Sequence, residues 1–393
     1  MAEGVMTAPR IFFYVQHLLG IGHIARASRI ANALVKDGFD VTVVTGGLPV
    51  PGFPGEGVKT VALPAVVASN AGFSGLADAD GRPAGEEFLA ARRQLLLDAF
   101  RAARPDIVII EAFPFGRRQM RFELLPLLAA IEKAEPRPKL ASSVRDILQE
   151  NRKAGRDAET VALVKDHFDV VLVHGDPAFV RLEDTFPLTA EIADRLRYTG
   201  LVAPPPAPDP AETFDIIASA GGGAVGAELI GAAKEAAALL PGDLRWLLIS
   251  GPNLPEDDFA ALSRNMPPNV TLARFRKDFP SLLRGARVSI SQAGYNTVGD
   301  LLRTKCRAIL IPFVAGGETE QTVRAERLQA LGLADILPEE GLTSVHVKEA
   351  VERALAAPRQ GPVPLDLDGA EKTAAIIRSM IAESLAQFKN PVI

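Results

Sequence analysis

The stretch Val288-Ser-Ile-Ser-Gln-Ala-Gly-Tyr-Asn-Thr-Val-Gly-Asp-Leu-Leu302 decides how this chain is read. An apolar run at residues 288–291 stops at Gly294, a helix-compatible run covers 295–303, and a second apolar run follows at 308–313. The pattern predicts strand, glycine turn, helix, strand, a unit of a parallel α/β sheet. In such sheets ligands sit outside the carboxyl ends of the strands, which puts this turn at a binding cleft. The start of the helix presents unpaired backbone N–H groups and the positive end of a dipole, and both suit an anion. Thr297 and Asp300 lie three apart and share a helix face. A carboxylate there can accept hydrogen bonds from a ribose diol.

Working outward, 393 residues exceed one ordinary core, so two domains are expected. Charged residues are 23% and the hydrophobic set 48%, a globular composition. The net charge of −5 argues against a nucleic-acid partner, which usually needs a basic face. A single cysteine, Cys306, leaves no disulfide within the chain and suits a reducing compartment. No metal-ligand cluster stands out. Residues 1–10 contain no apolar core of a signal peptide, and no apolar run approaches the roughly 20 residues that span a bilayer.

The first half repeats the same grammar. Residues 11–15 form an apolar strand and 16–23, Gln-His-Leu-Leu-Gly-Ile-Gly-His, the loop after it. Residues 24–36 place Ile24, Ala27, Ile30, Ala31 and Leu34 at helical spacing, and 41–45 form the next strand. Gly20, Gly22 and Ala25 fit a dinucleotide fingerprint, but Thr45-Gly46-Gly47 stands where that site wants an acidic residue, so NAD is discounted. Residues 64–85 read as a long irregular loop holding Asp78-Ala-Asp80, better taken as a solvated turn than as a metal ligand. Strands at 106–110, 139–144 and 169–173 end in Glu111, Arg145 with Asp146, and His174 with Asp176, which would line one cleft edge. Arg117, Arg118 and Arg121 open the helix after Glu111. They either grip an oxyanion bidentately or form a solvated face.

Five prolines at 204–210 forbid helix and mark a linker. Beyond it a strand at 214–219 leads into Ala220-Gly-Gly-Gly-Ala-Val-Gly226, a glycine loop before a helix, suited to close backbone approach to a phosphate.

Four motifs follow one another here: Phe275-Arg-Lys-Asp-Phe279, Ser291-Gln-Ala-Gly294, Thr297-Val-Gly-Asp300, and Pro312-Phe313 with Glu318-Thr-Glu-Gln321, in an order and nearly at a spacing known from one family. Together they resemble the nucleotide-sugar half of the MurG-like glycosyltransferases, the family 28 C-terminal domain. The likeness covers the C-terminal half well and the N-terminal half loosely. It implies the GT-B fold: two Rossmann-like α/β domains facing a central cleft. The first domain is then 1–203, the linker 204–212, the second domain 213–369, and a final helix at 370–393 packs back on the first. The implied reaction moves a hexose-type sugar from a nucleoside-diphosphate sugar, UDP-sugar favoured, to an acceptor hydroxyl, with inversion and no tightly bound metal or cofactor.

The resemblance also assigns roles. His23 occupies the place of a functionally important histidine and is the expected base, with His17 as alternative. An ordinary imidazole pKa of about 6.5 suits that task. Gly222, Gly223, Ala224, Ala293 and Gly294 would face the diphosphate, Phe275 and its loop the base, Asp300 with Thr297 the ribose, and Glu320 and Gln321 the sugar. His17, Glu111, Arg117, Arg118, Arg145 and His174 would face the acceptor, lipid-linked or a polysaccharide, in a cytoplasmic protein that can touch the inner membrane face. Three features depart from the family: Asp300 replaces a glutamate, Gln292 replaces an arginine, and the family has adjacent glutamines one residue nearer the proline than Glu320 and Gln321. A nucleotide-sugar 2-epimerase, using Glu111, Asp146 and Asp176, and a non-catalytic nucleotide-sugar binder are the competing readings.

Overall fold

The computed structural model describes residues 8–18, 22–68, 75–149, 154–222, 226–314, 319–358 and 361–389. Gly20, Gly223, Ala224 and Glu318, all singled out above, lie outside these. The chain divides into two compact units, Met1–Val202 with Asp368–Ile393, and Ala203–Leu367.

The first unit contains β1 (Arg10–Val15), α1 (Gly22–Lys36), β2 (Asp40–Thr45), β3 (Lys59–Ala62), the short β4 (Val67–Ala68) and β5 (Leu76–Ala77), and α2 (Glu86–Ala103). It continues with β6 (Ile107–Glu111), α3 (Arg121–Glu132), β7 (Lys139–Arg145), α4 (Arg156–His167), β8 (Val170–His174) and β9 (Leu196–Tyr198). Seven strands form one sheet in the order β3-β2-β1-β6-β7-β8-β9, and every neighbouring pair is parallel.

Parallel sheets are buried on both faces, and β1 shows how the sequence achieves it. Phe12 and Tyr14 join a core with Leu96 and Phe100 of α2, Leu124 and Leu127 of α3, and Val161 and Val164 of α4. The alternate residues Ile11, Phe13 and Val15 pack with Ala27, Ile30 and Leu34 of α1. Ala370, Ala374 and Ile377 of the chain's last helix lie in this second layer too, so the chain returns to its first unit. The segment read as an irregular loop carries the antiparallel pair β4–β5. Asp78 Oδ1 accepts the backbone N–H groups of Asp80 and Arg82, both at 2.9 Å, which makes the Asp-Ala-Asp sequence a turn cap.

The second unit runs β10 (Ile216–Ser219), α5 (Ala227–Ala238), β11 (Trp246–Ile249), α6 (Glu256–Ser263), β12 (Val270–Ala273), α7 (Phe279–Gly285), β13 (Val288–Ser291) and α8 (Tyr295–Thr304). It closes with β14 (Arg307–Leu310), α9 (Glu320–Ala330), β15 (Ala334–Ile336) and α10 (Ser344–Ala356); the returning helix is α11 (Gly369–Lys389). Its six-stranded sheet has the order β12-β11-β10-β13-β14-β15, again all parallel. The switch in strand order falls between β10 and β13, the place where such sheets bind ligands.

The proline segment is not a free linker. The carbonyl of Pro204 accepts from Arg303 Nε at 2.9 Å, that of Ala207 from Arg284 at 2.5 Å, and Glu212 pairs with Arg276 at 3.3 Å. Residues 203–212 therefore belong to the second unit. Among the described residues no helix is long and apolar enough to cross a membrane.

Candidate active site

In the first unit the ends of neighbouring strands bring together residues distant in sequence. Glu111, the last residue of β6, stands opposite Ser143 of β7 in the parallel register. It is fully buried. One oxygen accepts from Ser143 Oγ at 2.7 Å. The other takes His23 Nδ1 at 3.0 Å and an ion pair from Arg26 Nη2. Burial alone would raise its pKa, but Arg26, His23 and Ser143 hold the carboxyl well below its ordinary range. Glu111 is therefore a carboxylate that orients His23 from behind.

His23 lies in the first turn of α1 and keeps 20% of its side-chain surface exposed. Burial, helped by the charges of Arg117 and Arg26, pushes its pKa from 6.5 down to about 4 against the pull of Glu111. This corrects the expectation of an ordinary histidine. The ring is neutral at neutral pH, and a neutral imidazole held through one nitrogen by a carboxylate can accept a proton on the other.

Arg117 adopts a left-handed backbone, φ 57°. Its Nε and Nη2 are buried and lack a partner among the described residues. Its charge reaches His17, His23 and Arg145. A guanidinium with unspent donors beside a second arginine has the chemistry that suits an oxyanion. His17 is 7% exposed, its Nδ1 has no partner among the described residues, and burial and Arg117 lower its pKa against a backbone hydrogen bond at Leu48.

Three acceptor-side expectations need correction. Glu111 and His174 are both fully buried, so neither meets an acceptor directly. Arg118 shares Glu159 of α4 with Arg121, so it is engaged in an internal ion pair in which one carboxylate offsets one of the two charges. Asp146 and Asp176, the acids an epimerase would want, cap their own turns: Asp146 Oδ1 accepts Ile147 N–H and Asp176 Oδ1 accepts Ala178 N–H. The glycines after β2 also have a reason. A Cβ on Gly46 would sit 2.0 Å from Arg92 Nη2, and one on Gly47 would sit 2.2 Å from the His17 ring. The protein's own side chains fill the space past β2, where a dinucleotide ribose would be read.

In the second unit the backbone does the shaping. Gly221 (φ +74°) turns the chain after β10, and Gly226 (φ +114°) precedes α5, where a Cβ would lie 2.3 Å from the Cβ of Ala220. Asn253 Nδ2 donates to the carbonyl of Gly222 at 2.7 Å and steadies the loop. At the neighbouring strand end Gln292 Nε2 is buried without a partner among the described residues, and Gly294 precedes α8. Asp300 is 8% exposed, one turn along α8 from Thr297. Phe275, after β12, is 58% exposed. Its loop is pinned by Arg276, whose guanidinium pairs with Asp278 at 2.8 and 2.9 Å.

The model of the glycosyltransferase family 28 C-terminal domain matches residues 219–371. The second unit is a family 28 C-terminal domain. The chain is 27% identical over 365 residues to the UDP-N-acetylglucosamine–N-acetylmuramyl-(pentapeptide) pyrophosphoryl-undecaprenol N-acetylglucosamine transferase of Sphingopyxis alaskensis, covering 90% of this chain and 85% of the relative. It is 26% identical over 179 residues to the enzyme of that name from Thermotoga neapolitana, 45% of this chain and 50% of the relative. In that match the chain spans about half the relative's length. Among solved structures it resembles the calicheamicin glycosyltransferase CalG4 (TM-score 0.63, 18% identity, 99% of this chain and 100% of that one). It also resembles the glycosyltransferase VinC in complex with dTDP (0.60, 14%, 96% of each). MurG of Acinetobacter baumannii is similar as well (0.58, 15%, 95% of this chain and 100% of that one). The chain has the GT-B fold.

Within the family 28 domain, two sugar contacts expected from the motif are spent on the scaffold. Glu320 is 4% exposed and its Oε1 lies 2.6 Å from Arg324 Nη2. Gln321 Oε1 accepts the N–H groups of Ala293 at 3.0 Å and Phe313 at 3.2 Å, tying the ends of β13 and β14 together. Arg324 is fully buried and also donates to the carbonyl of Ala293 at 2.9 Å. Glu320, Gln321 and Arg324 thus hold in place the loop that leads into α8. Sequence reading missed Arg324, although its spacing of four from Glu320 was a signal. It also missed Arg26, a charge inside the apolar stripe of α1, and Ser143 and Thr199.

Proposed function

We propose that the protein is an inverting glycosyltransferase that moves a hexose-type sugar from a nucleoside-diphosphate sugar to an acceptor hydroxyl. The observation that carries this reading is the neutral His23, fixed by a buried carboxylate at a strand end, in a chain whose other unit is a family 28 domain. His23 Nε2 takes the proton of the acceptor hydroxyl. The oxygen attacks the anomeric carbon from the face opposite the diphosphate, whose C–O bond breaks with the electron pair leaving on the nucleotide.

The donor belongs to the family 28 domain. Backbone N–H groups at the start of α5 and α8, with Gly222 and Gly294, meet the diphosphate. Gln292 adds a neutral donor where an arginine is common in the family. Asp300 takes the ribose diol and Phe275 lies at the base. Uridine is favoured because the relative similar over 90% of the chain, and the one similar over 45% of it, are both named as UDP-N-acetylglucosamine transferases. The unspent donors of Arg117 favour an acceptor with an anionic group near its reacting hydroxyl. A lipid-linked diphosphate has that chemistry, and with it the protein would work at the inner face of the membrane. No tightly bound metal or cofactor enters this scheme.

The test is turnover of UDP-N-acetylglucosamine, UDP-glucose and dTDP-glucose, with and without a lipid-diphosphate-linked sugar as acceptor. Nucleotide release that needs the acceptor, with an inverted anomeric centre by NMR, is expected. Conversion of donor alone to its C2 epimer would make the protein an isomerase instead. Donor binding without any turnover would leave a binder.

A further inference from the structure

Behind Glu111 runs a buried file of side chains that the transfer step itself does not require. Ser143 Oγ lies 2.7 Å from Glu111 Oε2 and 2.9 Å from His174 Nε2. His174 Nδ1 lies 3.0 Å from Thr199 Oγ1. Ser143, His174 and Thr199 are each fully buried. They come from β7, the end of β8 and the segment after β9, so one hydrogen-bonded file crosses three neighbouring strands of the sheet.

The charge on Glu111 fixes the direction of every proton in it. A carboxylate only accepts, so Ser143 must donate its single proton to Glu111. Ser143 then accepts, and His174 must carry its proton on Nε2. His174 Nδ1 is left as an acceptor, and the proton that fits it is the Thr199 hydroxyl's. That proton has competing acceptors in the carbonyls of Gly200 at 2.9 Å and Val173 at 3.4 Å. If it turned to them, His174 could move its proton to Nδ1 and Ser143 would be drawn away from Glu111. On the other side of Glu111 the same rule puts the His23 proton on Nδ1 and leaves Nε2 bare. Arg26 Nη2, 3.3 Å from His23 Nδ1, converges on the same carboxylate oxygen and does not change this.

We propose that Thr199, His174 and Ser143 form a proton-ordered relay that positions Glu111 and thereby sets the tautomer and basicity of His23. This rests on the reading of His23 as the base, and the three are positioning residues. Other charges act on the same groups. Arg26 of α1 and Arg117, after β6, both disfavour a proton on His23, and Arg26 disfavours one on His174, while Glu111 favours both. Removing a donor from Glu111 makes the carboxylate a stronger partner for imidazolium, so His23 should titrate higher.

The experiment is NMR of the full chain with 15N-labelled histidine, comparing wild type with Thr199→Val, Thr199→Ser and Ser143→Ala. In the wild type His174 should be the Nε2–H form and His23 the Nδ1–H form. Thr199→Val and Ser143→Ala should each raise the His23 titration midpoint by at least half a pH unit, and Thr199→Ser should restore it. The acid limb of kcat/KM against pH should move in parallel, with KM for donor within twofold. An Nδ1–H His174 in the wild type, or variants that lower the melting temperature while the His23 midpoint stays still, would overturn the relay. The tautomers are read without turnover, so a protein that fails to transfer sugar refutes the proposed reaction and leaves this inference to its own result.

Discussion

The two units solve the same architectural problem with opposite chemistry. Each ends a parallel sheet in a glycine-bearing loop followed by a helix. In the first unit the strand ends and the start of α1 carry polar side chains wired into one network: His23, Arg26, Glu111, Ser143 and His174. In the second, the strand ends offer backbone, while Gln321, Arg324 and Asn253 hold that backbone still. A proton acceptor needs a tuned side chain, and tuning needs buried partners. A diphosphate needs several donors in a concave array, which loop backbone at helix starts supplies without side chains. The division suggests that chemistry belongs to the first unit and donor binding to the second.

Substitutions can break that division. The largest effect is expected for His23→Ala, which should lower kcat by about 10²–10⁴-fold with donor KM nearly unchanged, read in steady-state assays. A comparable loss of donor affinity would erase the distinction. Glu111→Ala leaves Arg26 buried without its carboxylate, and urea unfolding should show a loss of about 3–5 kcal/mol. Gly226→Ala forces a Cβ toward Ala220 at a positive φ, at a cost of about 1–3 kcal/mol. It should weaken nucleotide binding while sparing the His23 titration.

A graded effect, summed over two buried rings, is a slope with pH. His23 and His174 have folded pKa values of about 4 and about 3, below the ordinary 6.5, so the unfolded chain binds protons that the folded one refuses. Stability should therefore fall as pH drops below about 6.5, by about 1.4 kcal/mol per pH unit for each ring. Glu111 adds its own loss only once the unfolded carboxyl protonates near 4.5. Chemical denaturation at pH 7, 6 and 5 checks the slope, and His174→Gln should make it shallower.

The same contrast explains what could be read in the sequence. The second unit was legible because backbone sites leave local marks: Gly221, Gly226 and Gly294 announce turns, and Ser291 to Asp300 form one contiguous motif. What misled there was side-chain direction, since Glu320 and Gln321 face the scaffold. In the first unit His23 and Glu111 could be placed at strand ends from apolar runs alone. Their pairing could not, because 88 residues separate them and only the strand order β1-β6-β7-β8-β9 brings them together. Arg26 is a charge inside the apolar stripe of α1 that the sequence reading passed over, and Ser143 and Thr199 are common residues with no local signature. The proline segment read as a linker because composition reports stiffness and says nothing of what it packs on.

The most direct test of the division is calorimetric titration of UDP, dTDP, GDP, CDP and NAD into wild type, His23→Ala and Asp300→Ala. One diphosphonucleotide, UDP first, should bind wild type and His23→Ala alike and bind Asp300→Ala at least tenfold more weakly. Binding of NAD alone, of none of the five, or equal weakening by both substitutions would contradict a donor site in the second unit with the base in the first.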